Sequence, residues 1–557
     1  MIVSRYVGRE GVRYETKQCD VLIVGGGGAG ALAAIEASRD EHLKVMLVSR
    51  GPIGMSGLTP TANGGTAAGG SEEGRFNVMI TTGRFLNDQD LAWFMTHEIE
   101  HALEKLRMMG LSVEPLGPSA VAVQSSAMLR KLRRHIISKQ NIELREDVFV
   151  TRLFASPEGV AGVTALDFVT GDLFAIEARA IVLATGGSTG ELYPHSSNNP
   201  FGVSTNASGT GHAMAFRAGA DLVDMEMIQF VPLPAHARCL HIRYFPEFWK
   251  GPYRDRFGDV VVDDAGRYGA AASYSPELVQ KVYFEMEKGR GPIHIDHRAN
   301  PTSGAEVKAL QRRQRLIKSL GIDPRENKIE LTLGSHFSMG GIKVNAETET
   351  TLPGLFATGE NMGAVHGACR IAGHSFTQMI VFGLEAGKRA AECARHAAAR
   401  PGSLPAEQVE FEEQQVRRLM EPKEEPITIT SLKDRLKQVM ERDVFVVRNK
   451  EGLTAALRQI DSIEQDTARV QVAPFVRFNL EWMRAVEFPL LLETARIATT
   501  SALAREESRG FHYRSDFPNE DNARWLRHTL VRLDGGKPAM GSSPVPFSHI
   551  TPEAQHG

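Results

Sequence analysis

The sequence is poor in three features that would each assign it to a class of protein. Its four cysteines (Cys19, Cys239, Cys369 and Cys393) include no Cys-x-x-Cys pair, which argues against a disulfide framework and against a self-contained, cysteine-ligated iron–sulfur cluster. The net charge of −3 provides no bulk attraction to nucleic acid or to an anionic membrane. Apolar runs fall far short of the ~20 residues of a membrane span, and no signal-peptide core follows Met1. We therefore expect a cytoplasmic protein, or one held peripherally at the inner face of a membrane.

What the sequence does contain is the composition of an ordinary globular protein. It has 557 residues, of which 42% are apolar and 24% are charged. A single domain usually has ~100–200 residues, so we expect two or three domains with large cores.

The first specific signal is a nucleotide-binding pattern near the start. From Cys19 the chain reads CDVLIVGGGGAGALAAIEASRD. The run VLIV is typical of a strand buried on both faces, and it leads into Gly25-x-Gly27-x-x-Gly30 and an alanine-rich helical segment. Such glycines allow a tight turn, close approach to a pyrophosphate and close helix–strand packing, while the helix N-terminus supplies amide donors. A strand before and a helix after the glycines favour a dinucleotide site over a glycine-rich turn without a ligand.

Three further strands extend this nucleotide domain. KVMLVSR ends at Ser49 and Arg50, where an NAD site usually has an acidic residue for the ribose hydroxyls, so the sequence leans away from simple NAD binding. AIVLATGG (180–187) and LPGLFATGE (352–360) each read as a buried strand that ends on glycine. Because these pieces lie far apart in the chain, they indicate one nucleotide domain interrupted by an insertion.

The segment HEIEH matches the His-Glu-x-x-His motif of zinc enzymes. On a helix, His97 and His101 would share one face, with Glu98 as the base. The pattern is short, however, and no third ligand follows at a recognisable spacing. We interpret the segment as a solvated helix face and expect no metal.

Five blocks spread over residues 18–530 resemble one family in order and spacing. They are DMEMIQF (224–230), EMEKGRGPIHID (285–296), SHFSMGGIKVN (335–345), LFATGENMGAVHGACRIAGHSFTQMIVFGLEAGK (355–388) and SALAREESRGFHYRSDFPNEDNARWLRHTL (501–530). Their His-x-x-Met-Gly-Gly and His-Gly-Ala-x-Arg arrangements are specific. The sequence resembles the flavoprotein subunits of succinate dehydrogenase and fumarate reductase, a superfamily that includes L-aspartate oxidase, and within it this chain is a divergent member.

The resemblance implies an α/β fold in which a Rossmann-like FAD-binding domain is interrupted by an α+β capping domain and followed by a C-terminal helical domain. The FAD-binding domain would comprise residues 15–231 and 336–398, with the cap at 232–335. The helical domain would occupy residues 406–534. Gly, Pro and Ser in residues 535–557 favour an extended tail that lies on the domain or on a partner.

The resemblance also implies which residues form the site. His336 and Arg370 match the pair that binds a substrate carboxylate over the flavin; a guanidinium gives a planar, charged fork and a histidine adds a donor. Glu360 would meet the ribityl or ribose side of FAD, while Ser375 and Phe376 would approach the flavin by their backbone. The expected FAD contacts are Gly25, Gly27, Gly28, Ala29, Gly30, Ser49, Arg50, Ser56, Gly57, Asn63, Gly64, Gly65, Ala184, Thr185, Gly186, Thr210, Glu360, Ser375 and Phe376.

The chain departs from the family pattern at the flavin and at the substrate. Leu58, in SGLTPTANGG, stands where the family has the histidine that bonds covalently to FAD, so FAD should be held non-covalently, as in L-aspartate oxidase. Val231 stands where the family has a substrate-contacting histidine, and its side chain has no hydrogen-bond donor. Simple interconversion of succinate and fumarate is therefore doubtful, and a different acid is favoured as substrate.

The group that transfers the substrate proton also differs. Counting back from the Gly-Arg-Gly of EMEKGRG places Ser275 where the family has an arginine. The neighbouring Tyr274 is our candidate for a catalytic proton donor, since a phenol can act as an acid. Arg254 and Arg256 are further candidates, and each of the three has the alternative of an ordinary packing or surface role.

These residues favour an FAD-dependent oxidoreductase that carries out two-electron chemistry on a small, carboxylate-bearing substrate. Because the chain lacks cluster cysteines and keeps the block AREESRG (504–510), we expect electrons to pass through an iron–sulfur partner, which could hold the protein at the membrane. The alternatives are a true fumarate reductase or succinate dehydrogenase with a relocated proton donor, L-aspartate oxidase, an enzyme similar to adenylylsulfate reductase, and a non-catalytic flavoprotein that only relays electrons.

Overall fold

The structure is a computed structural model that describes most of the chain. The described residues are 4–7, 13–53, 56–62, 64–68, 70–117, 120–123, 125–156, 158–197, 207–235, 252–263, 275–295, 328–397 and 404–552. Tyr274 and Asn63, which the sequence analysis assigned to the site, lie outside these ranges, and the capping region is described only in part.

Within these ranges the chain forms strands and helices that are numbered here in chain order. The strands are β1 (Ser4–Val7), β2 (Arg13–Gln18), β3 (Val21–Val24), β4 (Val45–Val48), β5 (Gly65–Ala67), β6 (Val113–Gly117), β7 (Ala120–Val123), β8 (Ile142–Arg145), β9 (Val148–Ser156), β10 (Gly159–Asp167), β11 (Leu173–Glu177), β12 (Ala180–Leu183), β13 (Leu222–Val223), β14 (Ile228–Pro234), β15 (Tyr253–Arg254), β16 (Val260–Val262), β17 (Ile293–Ile295), β18 (Ile329–Ser338), β19 (Gly341–Ile342), β20 (Leu355–Ala357), β21 (Val447–Arg448), β22 (Tyr513–Arg514), β23 (Arg527–Asp534) and β24 (Lys537–Pro544). The helices are α1 (Gly28–Ala37), α2 (Glu72–Thr82), α3 (Gln89–Met108), α4 (Ser125–Ser138), α5 (Thr189–Leu192), α6 (Thr210–Arg217), α7 (Pro276–Glu285), α8 (His374–His396), α9 (Ala406–Arg418), α10 (Ile429–Asp443), α11 (Lys450–Asp466), α12 (Leu480–Ala504) and α13 (Asn522–Trp525).

A five-stranded parallel sheet forms the nucleotide domain. Its strand order is β20-β12-β3-β4-β8, and every neighbouring pair is parallel. The central strand β3 is buried along its whole length, as the apolar run VLIV predicts. Strands β12 and β20 pair although some 170 residues separate Ile181 from its partner Leu355, so one sheet is built from both sides of an insertion. This confirms the predicted Rossmann-like domain with an interruption.

Two helices cover this sheet because small residues let them approach closely. Helix α1 packs against α8, and both meet at backbone distance. A Cβ atom on Gly387 would lie 2.2 Å from the carbonyl oxygen of Ala33, and one on Gly383 would lie 3.0 Å from that of Ala29. Glycine one helical turn apart on α8 therefore sets the spacing between the two helices, and the N-terminal end of α8 is held over the glycine turn.

A second, antiparallel sheet belongs to the capping region. Its strand order is β14-β18-β17-β15-β16, and β14 pairs with β18 from Ile228 to Pro234. The domain limits proposed from the sequence at residues 231 and 335 fall inside these two paired strands. The pair thus runs continuously from the FAD-binding domain into the cap, and the site residue His336 lies on β18.

The C-terminal region combines helices with a hairpin. Helices α10, α11 and α12 pack against one another. Strands β23 and β24 form an antiparallel hairpin that extends the sheet β19-β13-β23-β24. The proposed limit between the helical domain and the tail, at residue 534, therefore falls at the hairpin turn, and residues 537–544 of the tail are a paired strand.

A buried ion network joins the C-terminal region to the FAD-binding domain. Arg505 Nε lies 2.6 Å from Glu226 Oε1, its Nη1 lies 3.0 Å from Glu507 Oε1, and its Nη2 lies 3.4 Å from Asp224 Oδ1. Arg509 Nε donates to the same Glu507 oxygen at 2.8 Å. Arg505 and the three carboxylates are at most 1% exposed. The AREESRG block, which the sequence analysis took as support for a partner, is therefore buried within this chain rather than presented to another subunit.

Replacing the central arginine of this network should destabilise the protein strongly. Arg505→Ala would leave Glu226, Asp224 and Glu507 without their shared cation, and breaking a buried ion network typically costs about 3–5 kcal/mol of unfolding free energy. The matched control is Arg524→Ala, because Arg524 is 63% exposed and lies 3.5 Å from Glu506; exposed pairs contribute about 1 kcal/mol or less. Urea unfolding of the FAD-loaded protein, followed by circular dichroism, measures both. Equal shifts of the two midpoints would contradict the proposed role of the network.

The zinc-like motif lies on helix α3, as predicted. His97 stacks on Trp93 with ring centroids 3.7 Å apart, and its Nδ1 lies 2.8 Å from the Trp93 carbonyl oxygen, while His101 is exposed. Across the part of the chain that the structure describes, no three His, Cys, Asp or Glu side chains are grouped so as to hold a metal ion. Among the helices of that part, none has the length and apolar character needed to cross a membrane.

Candidate active site

A long cleft opens at the carboxyl edge of the parallel sheet, where open α/β sheets bind their ligands. Its walls come from the turn after β3, the ends of β4 and β12, the start of α6, and the segment after β20. The sequence-predicted residues that line it are Gly25, Gly27, Gly28, Ala29, Ser49, Arg50, Ser56, Gly57, Ala184, Thr185, Gly186, Thr210, His336, Glu360, Ser375 and Phe376. Three other expected contacts, Gly30, Gly64 and Gly65, do not line this cleft.

Two glycines of the turn after β3 are required by the chain's own backbone. A Cβ atom on Gly25, whose φ is +117°, would lie 2.3 Å from the Ala184 carbonyl oxygen. A Cβ atom on Gly30 would lie 1.8 Å from the Gly25 carbonyl oxygen. These glycines therefore allow the strand, the turn and helix α1 to pack at backbone distance, as the fingerprint predicts.

The third glycine of the fingerprint leaves room for a phosphate. A Cβ atom on Gly27 would meet nothing closer than Thr59 Oγ1 at 3.8 Å, so its missing side chain leaves open space at the start of α1. The Gly28 amide donates to Thr59 Oγ1 at 3.1 Å, and Gly27 brings no side chain that could cap the amides that follow. The N-terminus of α1 can therefore bind the pyrophosphate of a dinucleotide.

The far end of the cleft is positioned by the C-terminal region. Arg50 forms an ion pair with Glu487 of helix α12, and Ser208 Oγ donates to the same carboxylate at 2.5 Å. The Arg50 guanidinium also lies 5.8 Å from the ring of Phe149, which lines the cleft. A guanidinium therefore stands at the position where NAD sites usually have an acid. Sequence reasoning missed Glu487 because 437 residues separate it from Arg50.

The segment after β20 brings a carboxyl group and a carboxamide to the cleft. Asn361 Oδ1 accepts a hydrogen bond from the Thr185 amide at 2.5 Å, which joins the ends of β12 and β20. Glu360 Oε1 accepts one from the Ser338 amide at 2.9 Å. Burial raises the pKa of Glu360 to about 8, against the opposing effects of the Ser338 amide and the Arg370 charge. At neutral pH this carboxyl is therefore largely protonated and can donate a hydrogen bond into the cleft.

His336 and Arg370 are in direct contact. Arg370 Nη2 lies 2.8 Å from His336 Nε2, and Ser197 Oγ lies 2.6 Å from His336 Nδ1. A guanidinium can only donate, so His336 Nε2 accepts, and the imidazole proton is on Nδ1 and points to Ser197. The three side chains form a chain of hydrogen bonds that fixes the tautomer and the plane of the histidine. Sequence reasoning missed Ser197.

A reciprocal pair of hydrogen bonds holds Arg370. Its Nε donates to Gln229 Oε1 at 3.0 Å, and Gln229 Nε2 donates to the Arg370 carbonyl oxygen at 3.0 Å. Its Nη1 lies 3.3 Å from Ser375 Oγ on the cleft wall, and its guanidinium carbon lies 4.8 Å from the centre of the Phe337 ring. The arginine is 2% exposed, so its charge is enclosed and orientated by neutral groups.

A β-bulge directs His336 into the site. In the pairing of β14 with β18, Gln229 lies opposite Phe337 while Phe230 lies opposite Ser335. His336 is therefore the extra residue of the bulge, and bulges commonly turn a side chain out of the regular alternation. Because of this one-residue shift, Gln229 and His336 both reach Arg370.

The candidates for proton transfer are not brought to this pair. Ser275 caps helix α7: its Oγ accepts from the Leu278 amide at 3.4 Å and donates to Glu277. Arg254 Nη1 donates to the Gly258 carbonyl oxygen at 2.8 Å, and the Arg256 guanidinium lies over the ring of Phe257. Each has a local structural role. Tyr274 lies outside the described residues, so its role stays a prediction.

Acid should destabilise the protein through His212, a buried histidine on helix α6. Burial lowers its pKa from 6.5 to about 4. Because the folded-state pKa is the lower one, the stabilisation is fully present above pH 6.5 and is lost as the pH falls towards 4. At about 1.4 kcal/mol per pKa unit, the loss is ~3 kcal/mol. His212→Gln should flatten the dependence of the melting temperature on pH between 4 and 7, whereas His101→Gln, at an exposed histidine, should leave it unchanged; parallel curves for all three proteins would contradict this assignment.

The cleft and the His336–Arg370 pair define an FAD-binding oxidoreductase. Residues 20–376 match the family model described as FAD binding domain, and residues 433–556 match the one described as fumarate reductase flavoprotein C-term. The chain therefore belongs to the flavoprotein subunits of the fumarate reductase and succinate dehydrogenase family, and FAD is its cofactor, as the sequence resemblance implied.

Individual relatives agree with this assignment over nearly their whole length. The flavoprotein-family subunit of fumarate reductase (CoM/CoB) from Methanothermobacter marburgensis is 31% identical, over 93% of this chain and 97% of the relative. The fumarate reductase flavoprotein subunit of Mycobacterium tuberculosis is 28% identical, over 96% and 99%. The solved E. coli quinol fumarate reductase chain FrdA superimposes with a TM-score of 0.84 at 26% identity, over 96% of this chain and 98% of that one.

Proposed function

We propose that the chain is a catalytic subunit that oxidises or reduces a carboxylate-bearing substrate above the flavin. The observation that carries this proposal is the enclosed His336–Arg370 pair beside the FAD cleft, held by Ser197 and Gln229. Bound FAD supplies two-electron hydride chemistry. The protein's part is to bind the carboxylate, to orient the carbon that reacts and to exclude water.

The charge arrangement supports carboxylate binding. Arg370 carries a permanent positive charge in a planar fork that matches a carboxylate, and its neighbours Gln229 and Ser375 are neutral. His336 is held as a neutral tautomer by its partners, so it can exchange its contact with Arg370 for one with the substrate. We infer that an incoming carboxylate takes the position between these two side chains.

The remainder of the substrate site supports an acid other than a simple dicarboxylate. Val231 is fully buried in β14 and offers no hydrogen bond. With only one carboxylate-binding pair preserved, a monocarboxylate or an acid with an apolar body is favoured. Fumarate is the second candidate, since the relatives are named fumarate reductases, and Tyr274 is then our proposed proton donor.

We also propose that electrons reach the flavin through an iron–sulfur partner. The cysteines include no cluster-binding pattern, and the relatives are described as subunits of larger enzymes. Attachment to such a partner would place the protein in the cytoplasm or at the inner face of a membrane.

The function can be tested by anaerobic reoxidation of the flavin. The FAD-loaded protein is reduced with dithionite, and candidate acids (fumarate, crotonate and cinnamate among them) are added while the flavin absorbance is followed. Recovery of the oxidised spectrum with one of these acids supports the proposal and identifies the substrate class. Failure of every acid, with reoxidation by ferricyanide intact, would favour a flavoprotein that only relays electrons.

We predict that FAD is bound non-covalently. Leu58 lines the cleft at the position where relatives attach the flavin through a histidine, and a leucine side chain has no nucleophilic atom. Acid precipitation should therefore release all of the flavin into the supernatant, where its absorbance is measured. Yellow colour that stays with the precipitated protein would contradict the prediction.

A further inference from the structure

A second cavity lies between the FAD-binding domain and the C-terminal region. It has a volume of about 800 Å³, within the ~300–1,000 Å³ typical of small-molecule sites, which also favour domain interfaces. Strand β9 and helix α6 form one wall, and helices α9 and α12 form the other. Met214 lines both this cavity and the FAD cleft. The proposed redox chemistry uses no part of the cavity.

The interior of the cavity is apolar. Phe154, Phe216 and Phe488 line it and are at most 5% exposed. Helix α12 contains Pro489 at this wall, and a proline cannot donate to the carbonyl oxygen four residues earlier, that of Ala485. The cavity therefore offers three aromatic rings and one backbone acceptor that its own helix does not use.

Charged side chains of the cavity wall are predominantly basic. Six charged residues line the cavity, four basic and two acidic: Arg152, Arg217, Arg418, Lys423, Glu412 and Glu493. One acid is already matched, because Arg217 Nη2 lies 3.5 Å from Glu493 Oε2. Arg152 makes a long contact of 3.4 Å to the neutral Gln408, which leaves most of its donors for another partner. The wall thus has a net charge of +2 beside an apolar interior.

We propose that this cavity binds an amphipathic organic anion, with its acidic head at Arg152 and Arg217 and its apolar body against the three phenylalanines. The chemical class is a carboxylate with an alkyl chain or an aromatic ring. Since Met214 is common to both cavities, the apolar body would lie one side chain away from the FAD cleft. This site is separate from the His336–Arg370 pair, and the proposal does not depend on the function proposed above.

The probes for this site are dodecanoate and 1-anilinonaphthalene-8-sulfonate, an aromatic anion that fluoresces in apolar surroundings. Titration of the FAD-loaded protein should show one saturable sulfonate site, and dodecanoate should displace the probe. Dodecylammonium, with the same chain and the opposite charge, should displace it at least about tenfold less well, because the charge-assisted hydrogen bonds to arginine are lost. This comparison uses the unmodified protein, so it is independent of any effect of a substitution on folding.

Variants place the site in the structure. Arg152→Glu combined with Arg217→Glu should weaken dodecanoate binding at least about tenfold, and Ala218→Trp should block the cavity, since Ala218 lines it and is half-buried. Arg458→Glu is the matched control, at an exposed arginine of α11 that does not line the cavity. Flavin absorbance reports whether each variant is folded and loaded. Equal displacement by the two chains of opposite charge, or binding that both cavity variants leave unchanged, would overturn the proposal.

Discussion

Arg370→Ala is expected to lower the rate of acid-dependent flavin reoxidation about a thousandfold while FAD stays bound. Two charge-assisted hydrogen bonds to the substrate would be lost, each contributing roughly 1.5–3 kcal/mol, and ~4 kcal/mol corresponds to about a thousandfold in rate. The arginine lies behind the cleft wall rather than in the FAD-lining set, so cofactor binding should survive. The measurement is stopped-flow absorbance of the dithionite-reduced protein with the best acid from the screen.

Two comparisons make this result specific. Reoxidation by ferricyanide needs no carboxylate site, so its rate should be unchanged in Arg370→Ala. Arg370→Lys keeps the charge but loses the planar fork and the contact to Gln229, and it should recover only part of the activity. Arg254→Ala is the control arginine, because it bonds locally to Gly258 in the cap. Acid-dependent reoxidation that is undiminished in Arg370→Ala would show that the substrate binds elsewhere.

Gly30→Ala and Gly27→Ala are expected to fail in different ways. A methyl group on Gly30 would lie 1.8 Å from the Gly25 carbonyl oxygen. Neither backbone atom can rotate away, so the free energy of unfolding should fall by on the order of 4 kcal/mol. A methyl group on Gly27 has open space around it and should leave the fold intact, but it would occupy the position of the pyrophosphate. FAD affinity should then fall roughly a hundredfold.

The two variants are separated by measuring FAD content and stability independently. Fluorescence titration with FAD gives the affinity, and urea unfolding with saturating FAD gives the stability. Gly27→Ala should change mainly the first quantity and Gly30→Ala mainly the second. If Gly27→Ala bound FAD as tightly as the unmodified protein, the pyrophosphate could not lie at the start of α1.

The parts of the structure that could be predicted from the sequence are local patterns. VLIV followed by three spaced glycines indicates a buried strand, a tight turn and a helix, because each step depends on residues within one short stretch. The strand ends ATGG and ATGE carry the same information, and the structure pairs their strands in one sheet. The positions of His336 and Arg370 could be matched to a family because their motifs are short and continuous.

The supporting groups could not be predicted, because they depend on register and on distant packing. The bulge at His336 follows from a one-residue shift between β14 and β18, which leaves no mark in the residue pattern. Ser197 and Gln229 reach the pair across gaps of 139 and 141 residues. The burial of AREESRG was missed for a similar reason, since its charged letters read as surface until the acids at Asp224 and Glu226 are placed beside Arg505.

The sheet β19-β13-β23-β24 has a consequence for the synthesis of the protein on the ribosome. Leu222 pairs with Val531, a partner translated some 300 residues later, and at ~5–20 residues per second this delay lasts tens of seconds. Until Arg505 emerges, Asp224 and Glu226 must remain in water, so the region around the cleft cannot close. A nascent chain therefore passes through a long interval in which its cofactor site is open, and FAD can enter before the C-terminal hairpin completes the fold.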